Sequence, residues 1–330
     1  MRTFDYRRGS DLAGALHMAQ AHNADYLAGG TTLIDLMKLD VMRPTTIVDI
    51  NGLEVDHGQI ELDAQALSLG ALVRMAQVAD HPGIIRDYPM IAETMTLAAS
   101  AQLRNMASLG GNVLQRTRCN YFRDLQAGAC NKRDPGSGCA ALEGVNRKHA
   151  ILGGSEHCIA TYPGDFAQAL VALDATVQIA GEGGVRTIPM EQLHVAPGDT
   201  PHIETTLKYG EMITRFIVPA AAWTRRSVYV KVRDRQSYEF ALASAAVALD
   251  IDGGTIREAR VALGGVATKP WRARAAEAAL AGKRPGWPVF RAAAKLAFAE
   301  ATPRKGNAFK VALGQRTMVR ALTQAAAMKV

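Results

Sequence analysis

An α+β architecture in two domains is what this 330-residue sequence predicts, and three observations predict it. Strand-like and helix-like stretches alternate through residues 1–50, and all four cysteines fall between residues 119 and 158 in a Gly-rich, irregular segment. Mostly apolar, partly alternating runs over 227–263 then give way to Ala-rich helical sequence up to residue 330. Together these predict a small α/β unit, a mixed α/β unit with a cysteine-bearing loop insertion at 115–160, and a boundary near residue 222. Beyond it, residues 223–330 read as a domain of antiparallel strands plus helices. With 48% apolar and 21% charged residues the composition is that of an ordinary globular protein.

Taken in order, Ser10 is placed to cap a helix whose apolar side runs Leu12, Ala15, Leu16 and Ala19. Tyr26 to Ala28 enters a turn at Gly29 and Gly30, a short helix carries Leu33, Leu36 and Met37, and Thr46 to Ile50 reads as a buried strand. A strand-like stretch from Ile60 ends at Gly70, a helix surrounds Met75, and a longer helix is expected over about 84–101, with Pro89 near its start. Past the cysteines, Asp165 to Leu173 looks helical, and Thr176 to Ala180 and Met212 to Pro219 look extended. Ser227 to Val232, Ala241 to Ile251 and Thr255 to Leu263 follow; Asp252, Gly253 and Gly254 either turn the last two into a hairpin or join a helix to a strand.

Several function classes are disfavoured. The longest nearly apolar run, Phe240 to Leu249, is far shorter than the roughly 20 residues a membrane helix needs. Arg7 and Arg8 are followed by Asp11, His17 and His22 rather than an apolar stretch, so no export signal is expected. The net charge of +7 is dispersed and not interleaved with stacking aromatics, which argues against nucleic acid and suits an anionic cofactor or an acidic partner.

Two glycine pairs and the cysteines carry the chemistry. Ala28 to Ile34 (AGGTTLI) sits at a strand-to-helix turn, and Ser108 to Val113 (SLGGNV) precedes the first cysteine. A Gly-Gly turn lets backbone N–H groups approach a ligand, and a following helix start favours a phosphate; Thr31, Thr32, Ser108 and Asn112 add side-chain donors. No G-x-G-x-x-G follows a strand, so a dinucleotide site of the Rossmann kind is not indicated. Cys119, Cys130, Cys139 and Cys158 are separated by ten, eight and eighteen residues, without the short C-x2-C knuckles of zinc sites. Long-looped thiols suit a [4Fe-4S] cube; two disulfides in an exported protein and a structural zinc are the other readings of four cysteines. From Arg116 to Lys148 seven basic residues face three acidic ones, a balance that would stabilise an anionic cluster. His149 and His157 are expected to be surface loop residues, Asp124 and Asp134 solvated, and Met90, Met95 and Met106 part of the core.

These pieces, with LGALVRMAQVADHPGI at 69–84, YPGDFAQALVALDATV at 162–177, GEMITRFIVP at 210–219, VKVRDRQSYEFALASAAVAL from Val230 and RVALGGVATKPWRA from Arg260, form a joint pattern over nearly the whole chain. It resembles the FAD-binding medium subunit of the molybdenum hydroxylases, the xanthine dehydrogenase and carbon monoxide dehydrogenase family. The resemblance implies a two-part, PCMH-like FAD-binding domain over 1–222 and a C-terminal domain of the carbon monoxide dehydrogenase flavoprotein type over 223–330. It also implies that both glycine turns cradle the FAD pyrophosphate. This places Tyr26, Leu27, Ala28, Gly29, Gly30, Thr31, Thr32, Leu33 and Ile34, with Ser108, Gly110, Gly111 and Asn112, at the cofactor, and Asp165 and Lys231 near the flavin ring.

The stretch RTRCNYFRDLQAGACNKRDPGSGC is similar to one in the medium subunit of bacterial periplasmic aldehyde oxidoreductases, where four cysteines hold a [4Fe-4S] cluster. By that resemblance all four cysteines here are ligands. The implied function is electron transfer within a heterotrimer. A molybdenum-cofactor large subunit oxidises an aldehyde, a [2Fe-2S] small subunit passes electrons to this chain, and an external acceptor takes them. The alternatives are the medium subunit of another such enzyme (xanthine dehydrogenase-like or hydroxybenzoyl-CoA reductase-like), a self-standing flavin oxidase or reductase, and a zinc-stabilised binding protein. Cofactor loading is expected in the cytoplasm, where the protein either stays or leaves bound to a partner with a twin-arginine signal.

Overall fold

The computed structural model describes residues 1–330 and arranges them around three sheets. The first is small and parallel, with β1 (Asp5–Arg8) and β2 (Ala24–Leu27) flanking β3 (Thr46–Asp49). Its strands are joined through the helices Leu12–Met18 and Leu33–Lys38, because parallel neighbours need crossovers. The first helix is capped by Asp11, whose Oδ1 accepts from Gly14 N–H at 2.8 Å; Ser10, the expected cap, lies one residue early and donates to Asp11 instead.

The second sheet is antiparallel, in the order β4-β5-β8-β6-β7: β4 (Ile60–Leu62), β5 (Ala66–Gly70), β6 (Thr176–Gly181), β7 (Gly184–Pro189) and β8 (Met212–Pro219). One face packs on helices between Met75 and Val113 and on Phe166–Ala172, burying Leu67, Leu69, Val177, Ile179, Phe216 and Val218 with Ile91, Met95 and Leu170. The long helix expected over 84–101 is three helices, Pro82–Asp87, Pro89–Thr96 and Ala101–Met106. Pro89 forces Tyr88 out of helical geometry (φ −137°, ψ 52°), so the chain turns there rather than merely starting late. Met90 and Met95 are fully buried as expected, but Met106 is 56% exposed.

The third sheet runs β12-β11-β10-β9: β9 (Ser227–Val232), β10 (Ala243–Asp252), β11 (Thr255–Gly264) and β12 (Trp271–Arg272). The hairpin alternative for 241–263 is the one adopted, because Gly253 (φ +55°) and Gly254 (φ +76°) supply the left-handed pair that a tight turn between antiparallel strands requires. Helices Arg274–Leu280, Trp287–Ala297 and Phe309–Ala327 cover one face through Ala276, Leu280, Phe290, Met318 and Leu322. No helix is long and apolar enough to cross a membrane.

The cysteine segment is mostly irregular and is fastened by polar side chains to backbone. Asn131 Oδ1 accepts from the N–H groups of Gly136 and Gly138, and its amide donates to His157 O. Arg133 donates to the carbonyls of Phe122, Asp124 and Gly128. Phe122, fully buried, packs on Leu36 of the helix that follows the first glycine turn, and Cys130 lies in the same small core. Both Arg118 and Arg123 donate to Asp35 of that helix.

Candidate functional site

The two glycine turns, some 80 positions apart in sequence, wall one cavity of about 360 Å³. Strand β2 delivers the first. Gly29 presses so closely on the Ala101–Met106 helix end that a Cβ there would lie 1.9 Å from Met106 O, and Gly30 sits at φ +70°. In the second, Ser108 Oγ accepts from Gly111 N–H at 3.3 Å, and Gly110 N–H donates to Ala71 O at 2.8 Å. Gly110 abuts Ala71, where a Cβ would come within 3.2 Å of Ala71 Cβ; a Cβ on Gly111 would meet only Ser108 Oγ. Tyr26, Ala28, Thr31, Thr32 and Leu33 complete the first turn's side, and Lys208 to Ile213 close the cavity opposite. Tyr26 OH donates to Gly210 O at 2.7 Å, so its phenol, kept protonated by burial, ties β2 to that loop. Leu27 and Ile34 lie behind the turn, packed with Leu33, Met37 and Ile47.

Thr31 and Thr32 also border a second cavity, of about 440 Å³, that holds Asn112, Asp165 and Lys231. Lys231 Nζ lies 2.8 Å from Asp165 Oδ2, with the two side chains only 2% and 6% exposed. Lys231 also donates to Leu97 O at 3.1 Å, and Tyr229 OH donates to Asp165 Oδ1. The pair joins the start of the Phe166–Ala172 helix to β9, and hence the first domain to the second. Asn112 Oδ1 and Arg118 Nε are buried here without a partner in the protein, which is unusual for buried polar atoms and suits a polar ligand lying across them. A long cofactor with a phosphate-bearing middle fits this shape: two cavities meeting at a pair of threonines, one walled by open backbone and the other by polar side chains.

Arg118, one of the seven basic residues of the insertion, reaches this cavity only through the fold. Tyr209 and Lys208 carried no sequence signal, being far along the chain and brought in only by β8.

All four cysteines are free and line a third, small cavity together with Tyr121, Phe122, Ala129, Lys132, Ala141 and Ala160. Cys130 and Cys158 are buried, and Cys130 pairs with Cys139 across a short antiparallel bridge. Burial pushes the Cys119 thiol up to about 12 and Cys158 up to about 11; Lys132 pulls the latter back. Thiols of this kind stay protonated until a metal displaces the proton. Ala160 N–H points at Cys158 Sγ at 3.4 Å. Nowhere do three His, Cys, Asp or Glu side chains close around one point as a single ion would require. His157 is exposed as expected; His149 is not, being 6% exposed with Nε2 3.1 Å from Cys119 Sγ.

Residues 2–221 match the FAD binding domain in molybdopterin dehydrogenase, and residues 228–325 match the CO dehydrogenase flavoprotein C-terminal domain. This chain belongs to the FAD-binding medium subunits of the molybdenum hydroxylases. Within that family it is 46% identical to the aldehyde oxidoreductase FAD-binding subunit PaoB of Escherichia coli, over 99% of each chain. It is 27% identical to the glyceraldehyde dehydrogenase medium chain of Sulfolobus acidocaldarius, over 85% of this chain and 82% of that one. The carbon monoxide dehydrogenase of Hydrogenophaga pseudoflava superimposes with a TM-score of 0.76 at 25% identity, covering 98% of this chain and 97% of that one. The medium subunit described here is therefore an FAD-binding component of an oxidoreductase, with the predicted α+β fold.

Proposed function

We propose that this chain is the FAD- and [4Fe-4S]-containing electron-transfer subunit of a heterotrimeric molybdenum-dependent aldehyde oxidoreductase. One juxtaposition carries the reading: four cysteines converge on a single apolar pocket beside the helix leaving the first glycine turn, in a chain 46% identical to an aldehyde oxidoreductase subunit. A bound flavin would supply the redox chemistry, accepting electrons from a [2Fe-2S] small subunit and releasing them to an external acceptor, while a large subunit with the molybdenum cofactor oxidises the aldehyde.

The chain's own residues bind and orient. Backbone at Gly29 and Gly30, with Thr31, Thr32 and the Ser108 hydroxyl, would hold the pyrophosphate, and Gly110 and Gly111, whose N–H groups are already bonded, line the cavity without side chains; Asn112 and Arg118 offer their unpaired atoms to the ring system. The Lys231–Asp165 pair fixes the wall of the ring cavity across the domain boundary. Cys119, Cys130, Cys139 and Cys158 would ligate the cluster. The long intervals between the cysteines, with no short C-x2-C pair, favour a cube over zinc.

Chemical analysis of the complex purified with its partners tests this. We expect one FAD and about four iron and four acid-labile sulfide per medium subunit. Stoichiometric zinc in an iron-free subunit would eliminate the cluster, and absence of co-purifying large and small subunits would eliminate the heterotrimer. For localisation we propose loading in the cytoplasm and export, if any, on a twin-arginine partner. Periplasmic protein appearing without that partner would refute it.

A further inference from the structure

His149 is the group in the insertion that the cofactor-holding residues leave unexplained. Its Nε2 faces Cys119 Sγ at 3.1 Å, and its Nδ1 is buried without a partner. Its backbone is clamped from two sides: His149 N–H donates to Asn146 O at 3.0 Å, and the fully buried Asn307 of the C-terminal domain donates to the carbonyls of His149 and Ala150 at 3.4 and 3.2 Å. Gly306 N–H also donates to Asn146 Oδ1 at 3.0 Å. The second domain thus shares with the loop in clamping the backbone from which the ring reaches the sulfur. A thiolate bound to iron has no proton to donate, so the ring nitrogen facing it must be the protonated one.

We propose that His149 is a positioning residue that donates an Nε2–H···S hydrogen bond to the Cys119 thiolate and thereby raises the reduction potential of the cluster. The inference rests on the [4Fe-4S] reading above. Reduction adds one electron to the cluster, with no bond to the protein formed or broken, and the added negative charge is shared by the ligand sulfurs. A donor aimed at one of them stabilises the reduced form more than the oxidised form.

An EPR-monitored redox titration with dithionite on the purified complex tests it, comparing wild type with His149→Leu and His149→Gln. We expect His149→Leu to keep wild-type iron while shifting the reduced-to-oxidised ratio at fixed potential about tenfold toward oxidised, about 59 mV for one electron. His149→Gln, which keeps an N–H, should recover part of the shift. Resonance Raman of wild type before and after H/D exchange gives a measure free of any substitution: an Fe–S(Cys) stretch that shifts supports the bond, and one that does not overturns it. Unchanged potentials in iron-loaded His149→Leu overturn the inference while leaving the cluster intact. Iron loss in both variants, with wild type loaded, makes His149 a ligand and overturns its role as donor. An iron-free wild type overturns the cluster reading itself, and this inference with it.

Discussion

Replacing Lys231 by Met tests the junction between the two domains at a buried ion pair. Lys231 and Asp165 lie 2.8 Å apart with 2% and 6% of their side chains exposed, so neither ion has water to fall back on. Lys231→Met leaves the Asp165 carboxylate with Tyr229 OH as its remaining side-chain donor. That phenol is held far above its ordinary pKa, by burial and then by the Asp165 charge, so it donates a neutral hydrogen bond and cannot replace the cation. Stranding one partner of a buried pair costs about 3–5 kcal/mol. At roughly 2–4 °C per kcal/mol for a unit of 150–250 residues, the first thermal transition should fall by about 6–20 °C. Asp165→Asn in the Lys231→Met background removes the stranded charge and should restore much of the loss, because a buried pair replaced as a whole is often close to neutral. The assay is thermal and urea unfolding of the four proteins in a double-mutant cycle, with FAD content read from absorbance. A loss below about 1 kcal/mol in Lys231→Met, the range of solvated pairs, or simple additivity of the two substitutions would refute a dry, coupled pair.

Gly111→Val should yield folded protein depleted of FAD, since a Cβ there meets only Ser108 Oγ and the side chain would fill the space that a pyrophosphate needs; full occupancy would remove Gly111 from the cradle. Gly30→Val, at φ +70° and close to Ile34 and Leu27, should lose FAD together with about 1–2 kcal/mol of stability, read from urea midpoints. Changing any of Cys119, Cys130, Cys139 or Cys158 to Ser should abolish the iron signal while FAD is retained; iron unchanged in two or more variants would overturn the four-ligand assignment. His194 is buried, donates Nε2–H to Val113 O at 3.0 Å, and is pushed by desolvation from 6.5 down to about 4. The unfolded chain therefore takes up a proton below pH 6.5 that the native chain refuses. His194 contributes no pH dependence above that point, and stability falls as the pH drops toward 4 by at most about 1.4 kcal/mol per unit. His194→Gln should flatten the stability profile between pH 6.5 and 4, and a profile of unchanged slope would show that other groups dominate.

Elements whose signals are local can be read along the chain. Periodicity located the strands at Thr46, Thr176, Met212 and Ser227; Asp252-Gly253-Gly254 marked the turn between two apolar runs; and two Gly-Gly steps beside Thr and Ser marked turns that line a cavity. Spacing alone also set the cysteines apart from zinc knuckles. Sequence proximity misled where geometry turns on one residue: Asp11 rather than Ser10 caps the first helix, and Tyr88 breaks what reads as a continuous helix. Tertiary structure alone decided which distant groups share a cavity. The convergence of the two glycine turns depends on Gly29 backbone lying against Met106, and the Asp165–Lys231 pair on β9 packing beside a helix from the other domain. His149 shows the reason most clearly. A loop histidine among charged neighbours carries no local sign of burial, and Asn307, 158 positions later, helps to clamp the His149 backbone beside Cys119. Periodicity and turn chemistry act over a few residues and can be read along the chain. Burial and electrostatic pairing depend on distances in space, which exist only once the domains have closed on each other.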